Sequence, residues 1–297
     1  MQKILIIKLG ALGDLVQAEG AIRDICAHHP NDEITLLTAP SYAKLFAQHP
    51  AIHRVETDTR QPRWHLWYLF CLILKLRRYG YDRVYDLQNS GRTVFYYHRL
   101  KPINWFGRAT KHYCVSFQEL LTKAGVPLRH THQPQWHWLK APVEHILDQC
   151  KITAPFILLL PGTSRAHPQK RWPYYAELAQ RLRDSGHLVA WAPGPDELDL
   201  IDQFPATCLL DNGQVLSIAQ IASLAPHVAL VIGNDSGPTH LLSYCHTKGV
   251  AIFNNPRYLD STAMDRRYQT LCEQNLANLS VDSVLKQITV ALQQTPA

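Results

Sequence analysis

Four stretches of this chain combine glycine, small hydroxyls, a cation and an acid in a way that suits phosphate handling or proton transfer. The first is Lys8-Leu9-Gly10-Ala11-Leu12-Gly13-Asp14, directly after the apolar run Ile4–Ile7. Gly10 and Gly13 permit a tight turn and close backbone approach. The stretch is neither the G-x-G-x-x-G of a dinucleotide site nor a P-loop, which ends in Gly-Lys-Ser/Thr. Asp14 has two readings. It is an acid at a helix start, favoured as a cap or by the helix dipole, or it is a carboxylate offered to a substrate.

The second stretch is Pro161-Gly162-Thr163-Ser164-Arg165, continued by Gln169-Lys170-Arg171-Trp172-Pro173. Thr163 and Ser164 can donate hydrogen bonds to a phosphate and Lys170 can supply a point charge; a solvated polar loop is the plainer alternative. The third, Gly233-Asn234-Asp235-Ser236-Gly237-Pro238-Thr239-His240, follows a strand-like run and opens a helix, with Asp235 or Ser236 as cap and Pro238 in the first turn. Free N–H groups at such a start attract anions. Ser236 with His240 lacks the G-x-S-x-G elbow of a serine hydrolase. The fourth, Pro193-Gly194-Pro195-Asp196-Glu197, puts an acid where dinucleotide folds bind a ribose diol, although it is equally an ordinary helix-start acid.

The elements that must position these residues alternate. Apolar runs at 3–8, 33–37, 53–56 and 83–87 read as strands, and periodic stretches at 14–27, 41–48, 64–79 and 92–100 read as helices, with Gly80 stopping the third. From Val126 to Val143, Pro127, Pro134 and Pro142 interrupt the pattern, which predicts a linker there and domains of 1–140 and 141–297. Strands restart at 156–160, 187–192, 228–232 and 249–253, alternating with helices at 174–184, 196–203, 216–224, from 239, and 281–292. Two βαβα series predict an α/β protein of two doubly wound parallel-sheet domains facing a cleft, with ligands outside the carboxyl ends of the strands.

Composition narrows the function. The 297 residues carry a net charge of +6, with 46% apolar and 18% charged side chains, which suits a folded enzyme-sized chain and excludes a disordered tail or coiled coil. The basic residues are scattered, so no nucleic-acid partner is expected, only a mild preference for anionic small molecules, glycolipids or membrane surface. Met1-Gln2-Lys3 runs into Ile4–Ile7 without a signal core, and the longest apolar stretch, Leu66–Leu74, is too short to span a bilayer. Seven dispersed cysteines, Cys114 among them, include no C-x-x-C and read as reduced thiols of a cytoplasmic protein. The sixteen histidines show no metal-binding pattern, so no metal is expected. The aromatic helix Trp64–Leu76 reads as core and interdomain packing, or as a membrane-facing helix flanked by Lys75, Arg77 and Arg78.

In register, Lys3–Asp14, Asp86-Leu87-Gln88, Pro161–Ser164 with Lys170–Pro173, Gly194–Glu197 and Asn234–His240 resemble the ADP-heptose:lipopolysaccharide heptosyltransferase family, glycosyltransferase family 9. The resemblance implies a GT-B fold of two Rossmann-like domains, the second holding a nucleotide-sugar donor. It implies metal-independent, inverting transfer of a heptose from ADP-heptose to an anionic glycolipid acceptor, the lipopolysaccharide core, with no separate cofactor. It also implies a cytoplasmic place, with peripheral contact at the inner membrane a further option. On this resemblance Asp14 is the base, Lys170 the diphosphate lysine, Thr163 and Ser164 the phosphate-loop hydroxyls and Glu197 the ribose acid. Asp235, Gly237 and His240 match the D-[ST]-G-x-x-H donor motif, and Lys8, Gly13, Ser236 and Thr239 complete the expected substrate-binding set. The chain departs from the family pattern by an inserted His167-Pro168 and by Asn254-Asn255-Pro256-Arg257 in place of a Gly-Pro-Thr-like turn. A non-catalytic sugar-nucleotide or glycan-binding protein on the same fold is the alternative. A dehydrogenase lacks its nicotinamide fingerprint at residues 9–14.

Overall fold

The computed structural model describes residues 1–62, 64–100, 102–109, 116–164, 167–256 and 264–293. Cys114, Arg165 and Arg257, named above, lie outside them. The chain divides into two compact units, Met1–Trp138 and Leu139–Ala297.

The first unit runs β1 (Lys3–Ile7), α1 (Leu12–His28), β2 (Glu33–Thr38), α2 (Pro40–Phe46), β3 (Arg54–Thr57), α3 (Leu66–Tyr79), β4 (Arg83–Asp86), α4 (Gly91–Leu100), β5 (Asn104–Phe106) and α5 (Phe117–Lys123). Its sheet is parallel throughout, in the order β3-β2-β1-β4-β5. Ile4 to Ile7 are all fully buried, as a central strand covered on both faces requires. Leu5 and Ile7 pack with Leu69, Leu72, Ile73 and Leu76 of α3. Gly80 closes α3 in the left-handed conformation at φ 63°, as the sequence predicts.

The second unit runs α6 (Glu144–Gln149), β6 (Phe156–Leu160), α7 (Tyr175–Asp184), β7 (Val189–Trp191), β8 (Thr207–Cys208), a hairpin of β9 (Leu210–Asp211) and β10 (Gln214–Val215), α8 (Ile218–Ser223), β11 (Val228–Asn234), α9 (Gly237–Ser243), β12 (Gly249–Phe253), β13 (Tyr268–Cys272) and α10 (Val281–Gln293). Its main sheet is again parallel, ordered β13-β12-β11-β6-β7-β8. The five apolar residues of β6 split by alternation. Ile157 and Leu159 join Trp172, Leu178 and Ile288 on one face, while Phe156, Leu158 and Leu160 join Ile146, Leu224 and Phe253 on the other. Helices therefore cover both faces.

Each sheet reverses direction once beside its first strand, between β1 and β4 in the first unit and between β6 and β11 in the second. At such a switch point the loops leaving the two strands diverge and open a crevice at their carboxyl ends.

Three local expectations are revised. Helix α1 begins at Leu12, so Asp14 is its third residue rather than its start, and no side chain caps it. The stretch 196–203 forms only a 3₁₀ turn at Leu198–Gln203, because the Glu197 carboxylate bends back to accept the Gly194 N–H at 2.8 Å. The stretch expected as a linker is largely built into the first unit. The Asp24 carboxylate accepts the N–H groups of Arg129, His130 and Thr131, Glu19 accepts that of Gln135, and Trp136 is fully buried with its indole N–H on the Val16 carbonyl. Gly20 makes this possible, since a Cβ there would lie 2.1 Å from the His130 carbonyl oxygen.

Candidate active site

At the switch point of the first unit, the end of β1 delivers Lys8 and the end of β4 delivers Asp86. Together with Asp14 they line a cavity of about 270 Å³. Gln88 ties the two strand exits together: its side-chain carbonyl accepts the Leu9 N–H at 2.8 Å, and its own N–H donates to the Ile7 carbonyl at 2.9 Å. Gly10 has φ +113° and lies against Tyr42, whose ring a Cβ would meet at 2.7 Å, so the turn toward Asp14 needs glycine.

The three charged groups differ in exposure. Lys8 is 6% exposed, Asp86 is sealed off, and the Asp14 side chain is 59% exposed. The Lys8 ammonium lies 3.9 Å from Asp14 Oδ2 and over the Phe117 ring at 5.4 Å. Burial lowers the Lys8 pKa, against the pull of Asp14 and Asp86. Burial likewise pushes the Asp86 carboxyl up to about 6, against the Asn89 N–H that it accepts and the Lys8 charge. Asp14 is thus the carboxylate of the three that a substrate can reach. It sits in the first turn of α1. Gly13, the residue before it, is half-buried inside the same turn.

At the switch point of the second unit, Asn234 at the end of β11 staples the loop that leaves β6. Its amide donates to the Pro161 carbonyl at 2.7 Å and its side-chain oxygen accepts the Trp172 N–H at 3.1 Å. The loop so held carries Thr163, half-buried, Ser164, exposed, and Lys170. Asp235 lies between two cationic or protonatable groups. Its Oδ2 is 2.5 Å from Lys170 Nζ and its Oδ1 is 2.8 Å from His240 Nε2. Burial alone would raise this carboxyl, but the hydrogen bonds and charges of His240 and Lys170 outweigh it and hold it below the ordinary range.

The remaining expected residues serve the loop itself. The Thr239 hydroxyl is buried 3.1 Å from that of Ser236, and Thr239 packs on Gly233, where a Cβ would meet its Oγ1 at 2.2 Å. Ser236 precedes α9, a helix of only seven residues that starts at Gly237. Glu197 is 1% exposed. Its Oε2 takes the Gly194 N–H, and its Oε1 is 3.0 Å from the Arg171 guanidinium. A ribose contact at Glu197 therefore has to share or displace one of these bonds. Gly162 covers the same carboxylate, with room for no side chain: a Cβ would lie 2.9 Å from Oε2. Among the described residues, no group of three or more His, Cys, Asp and Glu is arranged to hold a metal ion.

The sequence pattern of glycosyltransferase family 9 (heptosyltransferase) matches residues 91–289, about two thirds of the chain. The chain belongs to glycosyltransferase family 9. A curated relative, the lipopolysaccharide core heptosyltransferase OpsX of Haemophilus influenzae, is 21% identical over 284 residues, covering 86% of this chain and 80% of that protein. Among solved structures, E. coli ADP-heptose lps heptosyltransferase II superposes with a TM-score of 0.76 at 20% identity over the whole of both chains. E. coli heptosyltransferase WaaC with ADP gives 0.75 at 19% identity, covering 98% of this chain and 100% of that one. The fold of this family 9 enzyme is the two-domain α/β GT-B fold. The matched span contains the Lys170–Asp235–His240 cluster, whereas Lys8, Asp14 and Asp86 precede it.

Asp86, Gln88, Asn234 and Arg171 were quoted in motifs but not singled out as site residues. The available signal was position. Asp86 and Asn234 are each the last residue of the strand across the switch point, and each is fully buried while polar.

Proposed function

We propose that this family 9 glycosyltransferase moves a heptose from ADP-heptose to a lipopolysaccharide core acceptor with inversion at the anomeric carbon. The observation that carries the reading is the division of charge between the two switch points. A reachable carboxylate, Asp14, is held beside a buried ammonium in the first unit, and a loop lysine, Lys170, lies at the second. The names of the relatives supply the substrate class.

A single inverting displacement needs a base for the acceptor hydroxyl, and stabilisation of the leaving diphosphate. Asp14 takes the proton of the incoming hydroxyl as that oxygen bonds to the anomeric carbon. The bond from the anomeric carbon to the diphosphate oxygen breaks, and its electron pair leaves with ADP. Lys170 meets the charge that develops there, so no metal is required and chelators leave the rate unchanged. Lys170 is already bound to Asp235, so the diphosphate competes with or joins that pair. The Thr163 and Ser164 hydroxyls on the same loop donate to phosphate oxygens. Lys8, 3.9 Å from Asp14 Oδ2, orients that carboxylate.

Thermal shift with ADP, UDP and GDP and their sugar conjugates tests the donor, followed by a transfer assay with core glycolipid. ADP-heptose is expected to raise the melting temperature most, with about 3 kcal/mol of stabilisation at a hundredfold excess over Kd, and heptose is expected to appear on the acceptor. Stabilisation by ADP-heptose without transfer would make the chain a sugar-nucleotide-binding protein. Stabilisation by another nucleotide alone would overturn the donor.

A further inference from the structure

The exposed apolar residues are not spread evenly over the molecule. Among the described residues, five of the ten large apolar side chains left exposed fall between Trp64 and Leu74: Trp64, Leu66, Trp67, Phe70 and Leu74. Trp67 is 77% exposed and its ring stacks on that of Phe70, with centroids 5.7 Å apart. Packing does not require this outer stripe. Leu69, Leu72, Ile73 and Leu76, on the opposite face of α3, are buried in the core and already hold the helix to the sheet. Helix α3 is therefore apolar on two faces, and among the described residues the one bearing Trp67, Phe70 and Leu74 is left exposed.

The segment is firmly held. Asp58, fully buried, takes a two-pronged ion pair from Arg92 of α4 and the hydroxyl hydrogens of Tyr68 and Tyr96, and it also accepts the Arg60 N–H. Tyr68 in turn accepts the Thr59 N–H at 2.8 Å. This network fixes the start of α3 at the carboxyl edge of the sheet, the edge that carries Lys8, Asp14 and Asp86.

Charge identifies the partner. From Thr59 to Tyr81 the sequence contains five basic residues and no Asp or Glu, and of the five Lys75 is ion-paired with Glu56 of β3. Arg77 and Arg78, both exposed, continue the same outer stripe one turn beyond Leu74. An ordered strip of Trp, Phe and Leu running into paired arginines matches the boundary of an anionic bilayer: apolar rings enter the acyl boundary, tryptophans sit at headgroup level and arginines reach lipid phosphates. Among the described residues no helix is long and apolar enough to cross a membrane, so this contact lies along the surface. A second copy of the chain would bring a like-charged face to this one.

We propose that the outer face of α3, Trp64 to Leu74 with Arg77 and Arg78, docks the protein on an anionic lipid bilayer. The bilayer contact holds the carboxyl edge of the first sheet next to lipid-anchored molecules. It does not depend on the transferase reading, because it is read without donor or acceptor.

The test is co-sedimentation of the full chain with vesicles of phosphatidylcholine alone and of equal parts phosphatidylcholine and phosphatidylglycerol. The unaltered protein is expected to pellet with the anionic vesicles and to be released by high salt. Trp67→Ser with Phe70→Ser should cut binding tenfold or more, since both remove apolar surface that the acyl boundary would take up, without lowering the melting temperature. Arg77→Gln with Arg78→Gln should weaken binding to anionic vesicles alone. No pelleting of the unaltered protein, or equal pelleting of the Ser variant, overturns the proposal. So does sedimentation equilibrium showing a dimer that the Ser variant dissociates, which would make the face an interface between copies. Transfer to a delipidated acceptor should be unchanged in the Ser variant, which separates failure of docking from failure of catalysis.

Discussion

The two switch points hold buried carboxylates in opposite ways. In the first unit burial outweighs the Lys8 charge at Asp86, and its carboxyl is pushed up to about 6. In the second, Asp235 is nearly as buried but lies within hydrogen-bond distance of Lys170 and His240, and its carboxyl is held below the ordinary range. The Asp86 carboxylate therefore detracts from stability at neutral pH, and the Asp235 carboxylate adds to it. The lesson concerns mobility of charge. The second centre is locked, with its lysine already engaged. The first leaves Asp14 loosely paired at 3.9 Å and open to solvent, as the proposed role of base would require.

The sharpest way to break this contrast is Asp14→Asn. It should preserve the fold and lower turnover by roughly 10²–10⁴, the worth of a general base; near-normal turnover would remove Asp14 from the chemistry. Asp235→Asn should lower stability by about 3 kcal/mol, because it removes the charge that Lys170 and His240 share in a mostly buried site. Chemical denaturation would measure this. The sign of its pH dependence follows from the lowered carboxyl: the stabilisation is present above the unfolded value near 4 and lost as pH falls through the native value. The acid limb of the wild-type stability curve should be shallower in the variant. An unchanged limb would mean that Asp235 is not held by its two partners.

Asp86→Asn should act in the opposite direction. Between about 4 and about 6 the native carboxyl keeps a proton that the unfolded chain has released, so wild-type stability falls as pH rises across that window, by about 3 kcal/mol for two units. The variant should lack that slope and be at least as stable at pH 7. Glu19, raised to about 7 by burial, adds a separate slope that the variant retains. A variant less stable at neutral pH would show that the Asp86 charge is needed.

Much of this arrangement was legible before the structure. The fully apolar Ile4–Ile7 and Phe156–Leu160 segments announce central strands, and the Gly-rich or hydroxyl-rich turns after them fall where a parallel sheet keeps its ligands. What was illegible depends on approach in space. Nothing local shows that Asp24 will receive three successive N–H groups from residues 105 to 107 positions later, so Arg129–Trp138 read as linker while belonging to the first unit. Nothing local shows that Glu197 will turn inward onto Gly194 and Arg171, shortening the expected helix to a turn. Short strands such as Thr207–Cys208 exist only through their pairing and carry no periodic signal of their own. The motif order pointed to the family without any of these contacts, because it samples strand ends, and strand ends are where this fold places its chemistry.

On the proposed mechanism the proton is handled in the first unit and the diphosphate in the second. Calorimetric titration of ADP into Asp14→Asn and Lys170→Ala tests it most directly. ADP should bind Asp14→Asn as tightly as wild type and Lys170→Ala at least about tenfold more weakly, the loss of one charge-assisted contact. Weakened ADP binding in Asp14→Asn, or unchanged binding in Lys170→Ala, would contradict it.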